Sequence, residues 1–309
     1  FRRIRALESK RGIIMEQKKR VQAHLLLLLT AIIWGSAFVF QKFATEQLSS
    51  WFITAARFSI AAVLLWGITF PKWGKLNKGY LLGGLITGTT MGLGTAVQTV
   101  ALTLGTTPGK SAFLTAVYCV IVPFFYWFVS KEKPQKNHVL AAIICLIGIG
   151  LISLNGDMTM QAGDIVTLIC GVIFACDLTA VAWFAKGRDP ILLTTMQITF
   201  SAVVGWIGTF ATQGLPTQIS MEAMGNVLYL ALFSTALCLF LQAYGLKHTD
   251  AAVGTILLSL ESVFGVIFSV LLYHETVTFR MAIGFIVVFI AVLLAQFRFE
   301  KKNPTSQSG

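Results

Sequence analysis

Charge is what this chain has least of. Only 12% of its 309 residues are Asp, Glu, Lys or Arg, while 56% are hydrophobic and the mean hydropathy is +0.76. A soluble domain carries roughly 25% charged residues, so too little polar surface is present here to face water. Disorder and nucleic-acid binding are excluded by the same arithmetic. Cysteine is sparse and odd in number: Cys119, Cys145, Cys170, Cys176 and Cys238 all fall in apolar stretches. That placement argues against a disulfide framework and a Cys/His metal site, and leaves them as small packing residues. Nucleotide machinery is missing too. GTTPGKS (105–111) resembles a phosphate loop, but the residue five before Gly109 is Leu104 and no strand precedes it. His274-Glu275 lacks the second histidine of a zinc-protease helix, and neither a cofactor loop nor a nucleophile triad is present. No cofactor, metal or nucleic-acid partner is expected.

What fills the chain instead is a series of apolar runs, near 21–43, 51–70, 79–104, 108–129, 137–154, 163–185, 191–211, 222–246, 251–273 and 278–298. At about 20 residues per crossing, these predict ten transmembrane helices. The basic residues test the count, because cytoplasmic loops collect Lys and Arg. With the N-terminus inside, inner segments receive the eight of residues 1–20, then Lys72, Lys75, Lys78, Lys131, Lys133, Lys136, Lys186, Arg188, Lys247, Arg298, Lys301 and Lys302. The outer loops keep only Arg280, with Lys42, Arg57 and Lys110 inside helices near their outer ends. Both termini are therefore expected in the cytoplasm, flanking the bilayer as a basic segment 1–20 and a tail 299–309. The net charge of +11 follows from this topology and calls for no anionic partner. Within the basic segment, Met15 followed by EQKKR reads as an ordinary start and 1–14 as a gene-model extension; without its five Lys/Arg and one Glu the charge is +7. The first apolar run has no small-residue cleavage site, so it reads as a retained helix.

The halves 21–155 and 162–298 match each other. LTLGTTPGKSAFLTAVYC (102–119) lies over GLKHTDAAVGTILLSLES (245–262) at offset 143, which also sets Glu132 over Glu275. Offset 140 sets IIWGSAFVF (32–40) over VIFACDLTA (172–180). Five helices per unit is an odd number, so the second unit enters the membrane in the opposite sense. Inverted repeats are a common construction of secondary transporters, with the substrate site between the halves near mid-membrane.

WGSAFVFQKFA in the first helix, Arg57 in the second, QTVAL then KSAFLT across the third and fourth, and LLSLESVFGVIFSVLLYHE in the ninth resemble the EamA family of the drug/metabolite transporter superfamily. The resemblance covers nearly all of residues 22–298. It implies an all-α protein of ten spans in a 5+5 inverted repeat, both ends cytoplasmic, moving small organic metabolites such as amino acids across a bacterial inner membrane, often as export. Glu261-Ser262 stands where many family members show Glu-Pro, so the ninth helix has no proline to break it.

An ionisable group at mid-bilayer costs roughly 2.5–3.5 kcal/mol on insertion scales, so each needs a reason. Glu261 sits at the centre of the ninth run and Asp177 about a turn from the middle of the sixth. Either could carry protons or hold a cationic group; the alternative is a hydrogen bond between helices. Arg57 and Lys42 could attract an anion, or their long stems could reach the headgroups, with Glu46 as a partner. Gln98 and Gln242 recur at nearly matching repeat positions and could line a cavity, with Ser36 beside Trp34 and Gly35 in the first helix. Trp34, Tyr118 and Tyr244 could stack on substrate, whereas Trp51, Trp73 and Trp127 suit an interfacial belt. Gly79, Gly83, Gly84, Gly88, Gly92 and Gly94 give the third helix a small-residue face for close packing.

The favoured expectation is a transporter working by alternating access, with lipid around it, protons as the candidate coupling ion and a homodimer as the assembly considered. Uncoupled facilitated diffusion is the mechanistic rival. An integral-membrane enzyme acting on a lipid-linked substrate would need paired carboxylates or histidines at one surface, and the outer loops offer only scattered Asp157, Asp164, Glu222 and His274.

Overall fold

The computed structural model describes residues 2–131, 133–154, 159–212, 214–249 and 251–296. Glu132, Asp157, Arg298, Lys301, Lys302 and the tail 299–309 lie outside the described residues. Ten helices among those described are long and apolar enough to cross a membrane. In chain order, spans 1 to 10 are Lys19–Ala44, Ser50–Lys75, Lys78–Thr103, Pro108–Ser130, Lys136–Ser153, Ala162–Phe184, Pro190–Thr212, Met221–Lys247, Val253–Leu272 and Phe279–Gln296. The expected all-α, ten-span class holds. Span 1 continues a helix that begins at Arg2, and span 2 runs past residue 70 as a 3₁₀ turn over Phe70–Lys75.

Side 1 denotes the end at which span 1 enters, and side 2 the end at which it leaves. Contacts between loops respect this alternation. On side 1, Lys72 pairs with Asp189 at 2.7 Å and His24 meets Thr249 at 2.7 Å. On side 2, Lys110 pairs with Asp164 at 3.2 Å.

Helix ends are set by local chemistry. Ser49, Asn77 and Ser220 accept bonds from first-turn N–H groups of spans 2, 3 and 8. Asp189 does the same for Ile191 and Leu192 of span 7, and Pro108 and Pro190 open spans 4 and 7, where a missing N–H costs nothing. Inside the spans, hydroxyls at Thr54, Thr87, Thr99, Thr167 and Thr195 donate to the carbonyl four residues earlier, so none is left bare at lipid depth.

Three spans are irregular. Span 4 divides into Pro108–Thr115 and Tyr118–Ser130, and span 9 into Ala251–Ser259 and Glu261–Leu272. The break in span 9 forms without the proline: the Leu260 N–H turns back to the Leu257 carbonyl at 3.3 Å, three residues away. Span 8 contains a π-helical stretch, Leu230–Leu237.

Packing occurs in exchanged pairs. Span 1 packs on spans 8 and 9, and span 6 on spans 3 and 4; spans 2 and 7, 4 and 9, and 5 and 10 pack on each other. Offset 140 carries Trp66 onto Trp206 and Ser59 onto Thr199, and the bonds are reciprocal: Trp66 Nε1 donates to Thr199 Oγ1 and Trp206 Nε1 to Ser59 Oγ, both at 2.9 Å. The glycine face of span 3 lies on span 7. A Cβ at Gly84 would fall 2.4 Å from Met196 Cβ, and one at Gly88 2.4 Å from the Gln197 carbonyl. The stripe is thus a packing surface, used as small-residue faces are in lipid.

Candidate functional site

The breaks in spans 4 and 9 bring Tyr118 and Glu261 together. Each opens the second half of its divided span, and offset 143 maps one onto the other. Tyr118 Oη donates to Glu261 Oε1 at 3.1 Å. Glu261 is 8% exposed, and among the described residues neither Lys nor Arg pairs with it. Ser262 Oγ beside it is buried without a hydrogen-bond partner.

Arg57 anchors a second cluster. Its Nε and Nη2 donate to Thr235 Oγ1 at 3.1 and 3.0 Å, and Nη2 also to Ser234 Oγ at 3.2 Å, both on the π-helical stretch. Nη1 reaches Gln41 Oε1 at 3.4 Å. Gln41 Nε2 in turn donates to Thr99 Oγ1 at 2.7 Å and Gln98 Oε1 at 3.4 Å, while Gln98 Nε2 donates to Thr115 Oγ1 at 3.2 Å, three residues before Tyr118. Trp34 Nε1 donates to the Ser234 carbonyl at 2.8 Å, and Ser36 meets Tyr229 Oη at 2.6 Å. Spans 1 and 2 therefore both bind the irregular part of span 8. A π-helical turn is rare and frequently marks a functional position.

Asp177 holds a third cluster, in the other half. It accepts from Thr90 Oγ1 at 2.9 Å and from Gln197 Nε2 at 3.0 and 3.3 Å. Offset 140 carries Arg57 onto Gln197. One half thus houses a buried guanidinium among neutral acceptors and the other a buried carboxylate among neutral donors. Both charges lack an ionic partner among the described residues.

Two of the sequence candidates stand apart. Gln98 lies five residues before the side 2 end of span 3, whereas Gln242 lies five before the side 1 end of span 8. Antiparallel spans send equivalent late positions to opposite sides, so the two amides do not share one cavity. Tyr244 is near that same side 1 end, its ring 4.5 Å from that of His248. Lys42 does not pair with Glu46; its Nζ donates to the Leu102 carbonyl at 2.5 Å, in the last turn of span 3, a favourable place for a cation. Gln41, Thr90, Thr115, Gln197, Ser234 and Thr235 were not singled out from the sequence. The available signal was an amide at lipid depth in spans 1 and 7.

Side 2 is closed by two acids. Asp164, at zero exposure, accepts from Thr106 Oγ1 at 2.6 Å and pairs with Lys110. Glu275 accepts from the hydroxyls of Thr107 and Ser269 and from the Gly109 N–H at 2.9 Å. The loop between spans 3 and 4 is thereby fastened to span 6 and to the loop between spans 9 and 10. Beneath it, every residue of Pro108–Thr115 except Lys110 is buried, whereas Tyr118–Ser130 has only Val120 buried. A cavity of about 500 Å³ lies outside this closure, lined by Glu46, Ser49, Trp51, Val100, Thr103 and others; Glu261, Asp177 and Arg57 do not line it.

Comparison with known proteins adds the family. The sequence profile of the EamA-like transporter family matches residues 21–154 and again residues 161–297. The chain belongs to that family. An uncharacterized transporter of Archaeoglobus fulgidus is 28% identical over 285 residues, covering 92% of this chain and 88% of its own. The uncharacterized transporter YoaV of Bacillus subtilis is 22% identical, covering 92% and 99%. A solved crystal structure with 16% identity superposes with a TM-score of 0.63 over 88% of this chain and 96% of that one, which shows the shared fold. This EamA-like protein is a multi-pass membrane transporter.

Proposed function

We propose that this transporter moves a small organic metabolite, such as an amino acid or a related compound, outward across a bacterial inner membrane by rocking one five-span repeat against the other. The observation that carries this is the Tyr118–Glu261 bond. Repeat-equivalent residues meet at mid-membrane, each at the break of its span, where irregular backbone is tolerated only inside protein or around a cavity. Exchanged contact pairs and the reciprocal Trp66 and Trp206 bonds support the inverted repeat. The loop charges support cytoplasmic termini, which makes side 1 the inner side.

On this reading the bonded loops of side 2 are the closed end, and the groove between spans 4 and 6 near side 1 is where the two repeats separate first. Exchanging the roles of the repeats gives the opposite state, with the Asp164 and Glu275 closures released. Glu261 and Asp177 are the candidate proton sites, because each is bonded only to neutral groups that a substrate or water can displace. Trp34 and Ser36 of span 1, Arg57 of span 2 and Gln98 of span 3 are the further candidates for substrate contact, joined through the hydrogen bonds around span 8 and Gln41.

Purified protein in liposomes tests the proposal by counterflow of amino acids, sugars, vitamins and quaternary amines, with and without an imposed pH gradient. Uptake of one class that responds to the gradient supports proton coupling; gradient-independent counterflow makes the protein a facilitator. We expect Glu261→Gln to abolish gradient-driven uptake while leaving exchange, and equal loss of both would remove Glu261 from the coupling role.

A further inference from the structure

Spans 4 and 6 belong to different halves, and near side 1 they leave an apolar groove of about 360 Å³ between them. Phe125, Phe128 and Val129 of span 4 face Cys176, Trp183 and Phe184 of span 6 across it. Of the five cysteines, Cys176 is the exposed one, which sets it apart from a packing role. Phe128, Cys176 and Trp183 in its lining are exposed on the outer surface of membrane-spanning helices, which a bilayer covers with hydrocarbon.

Its side 1 mouth is cationic. Lys186 Nζ lies 5.0 Å from the Trp183 ring centroid and 5.7 Å from that of Tyr126, so it stands between the two spans. Arg188 turns towards span 3 instead, its guanidinium against Gly79 and 5.8 Å from the Phe184 ring, and it donates to the Phe184 carbonyl at 2.7 Å. Lys131 and Lys133, both exposed, follow the end of span 4. The nearby acid Asp189 is bonded to Lys72, and among the described residues neither Lys186 nor Arg188 has an ionic partner.

We infer that this groove is a binding site for an anionic phospholipid, with one acyl chain between spans 4 and 6 and the phosphate at Lys186, which stands between the two spans. A zwitterionic lipid offers the same chain without the net charge that this mouth selects, and the volume lies within the range of small-molecule sites, about 300–1,000 Å³. Because the groove separates elements of opposite halves, its occupant props them apart and favours the conformation open towards side 1. Attraction of about 1 kcal/mol per juxtamembrane cation corresponds to roughly five-fold in affinity for each.

The test is native mass spectrometry of the full-length protein titrated with phosphatidylglycerol or phosphatidylcholine in detergent. We expect phosphatidylglycerol to be retained preferentially, Lys186→Gln to weaken its retention roughly five-fold, and Ala180→Phe, which fills the groove, to remove the preference. Lys186 is exposed, so its variant remains informative if Ala180→Phe does not fold. Equal retention of the two lipids by the parent, or an unchanged preference in folded Lys186→Gln, overturns the proposal.

Discussion

Releasing the side 2 closure by Glu275→Ala is the perturbation whose size the structure defines best. Three donors converge on this carboxylate, but the Ser269 bond stays within the end of span 9 and its loop. Only those from the Thr107 hydroxyl and the Gly109 N–H cross to the loop between spans 3 and 4, and these must break for side 2 to open. Hydrogen bonds to a charged acceptor contribute about 1.5–3 kcal/mol each. At the lower value the two crossing bonds hold side 2 shut by about 3 kcal/mol, and their loss raises the open population roughly 100-fold. Thr107→Ala removes one bond and should raise it about ten-fold. The readout is Ser111→Cys, placed in a chain freed of its five native cysteines. Ser111 is buried beneath the closure and its hydroxyl has no partner, so a thiol fits without breaking a bond. Labelling by a membrane-impermeant maleimide added from side 2 should accelerate by these factors in vesicles of known orientation. An unchanged rate in folded Glu275→Ala, or equal acceleration from side 1, would refute the assignment of Glu275 as a latch.

Three further outcomes follow from particular contacts. Trp66→Phe and Trp206→Phe each remove one of two reciprocal bonds between spans 2 and 7; both should lower the thermal midpoint by a similar small amount, near 0.6 kcal/mol per intramembrane bond, and a several-fold difference between them would speak against equivalence. Gly88→Ala places a methyl against the Gln197 carbonyl at 2.4 Å, so it should cost about 1–3 kcal/mol by overpacking, whereas Gly67→Ala, with nothing within 4 Å, should be close to neutral in the same melt. At the side 1 surface, burial tends to raise the Asp189 carboxyl, but Lys72 and the Leu192 and Ile191 N–H groups outweigh it and hold it below its ordinary value. A depressed carboxyl stabilises the fold above the unfolded value of about 4 and loses that contribution as pH falls through the folded value. Asp189→Asn keeps the helix cap and loses the ion pair, so it should lower the thermal midpoint slightly at pH 6 and by progressively less as the pH falls below about 4; a gap that widens in acid would contradict the sign.

The spans were legible because crossing a bilayer demands length and apolarity, which local sequence carries. All ten runs are found, and the pairing of Tyr118 with Glu261 was implicit in the offset of 143 that aligned 102–119 with 245–262. The three-dimensional partners were not legible. Gln41 and Gln197 are single amides in apolar runs, and only packing reveals that one meets Arg57 and the other Asp177. Matching Gln98 with Gln242 by their late places in spans 3 and 8 did not bring them together, since these spans run in opposite directions and end on opposite sides. The break in span 9 makes the converse point. Proline is a common cause of a helix break, yet Pro123 sits within the continuous helix Tyr118–Ser130 whereas Leu260 turns without a proline, and Gly265 in the second half of span 9 packs against Ala112 of span 4. What fixes the break is tertiary: Glu261 meets Tyr118 at the centre while Glu275, just past the end of span 9, meets the loop at the edge. In the proposed cycle this division would let the Glu275 edge part from its loop and the Tyr118–Glu261 bond break as separate events, which a single rigid span 9 would tie together.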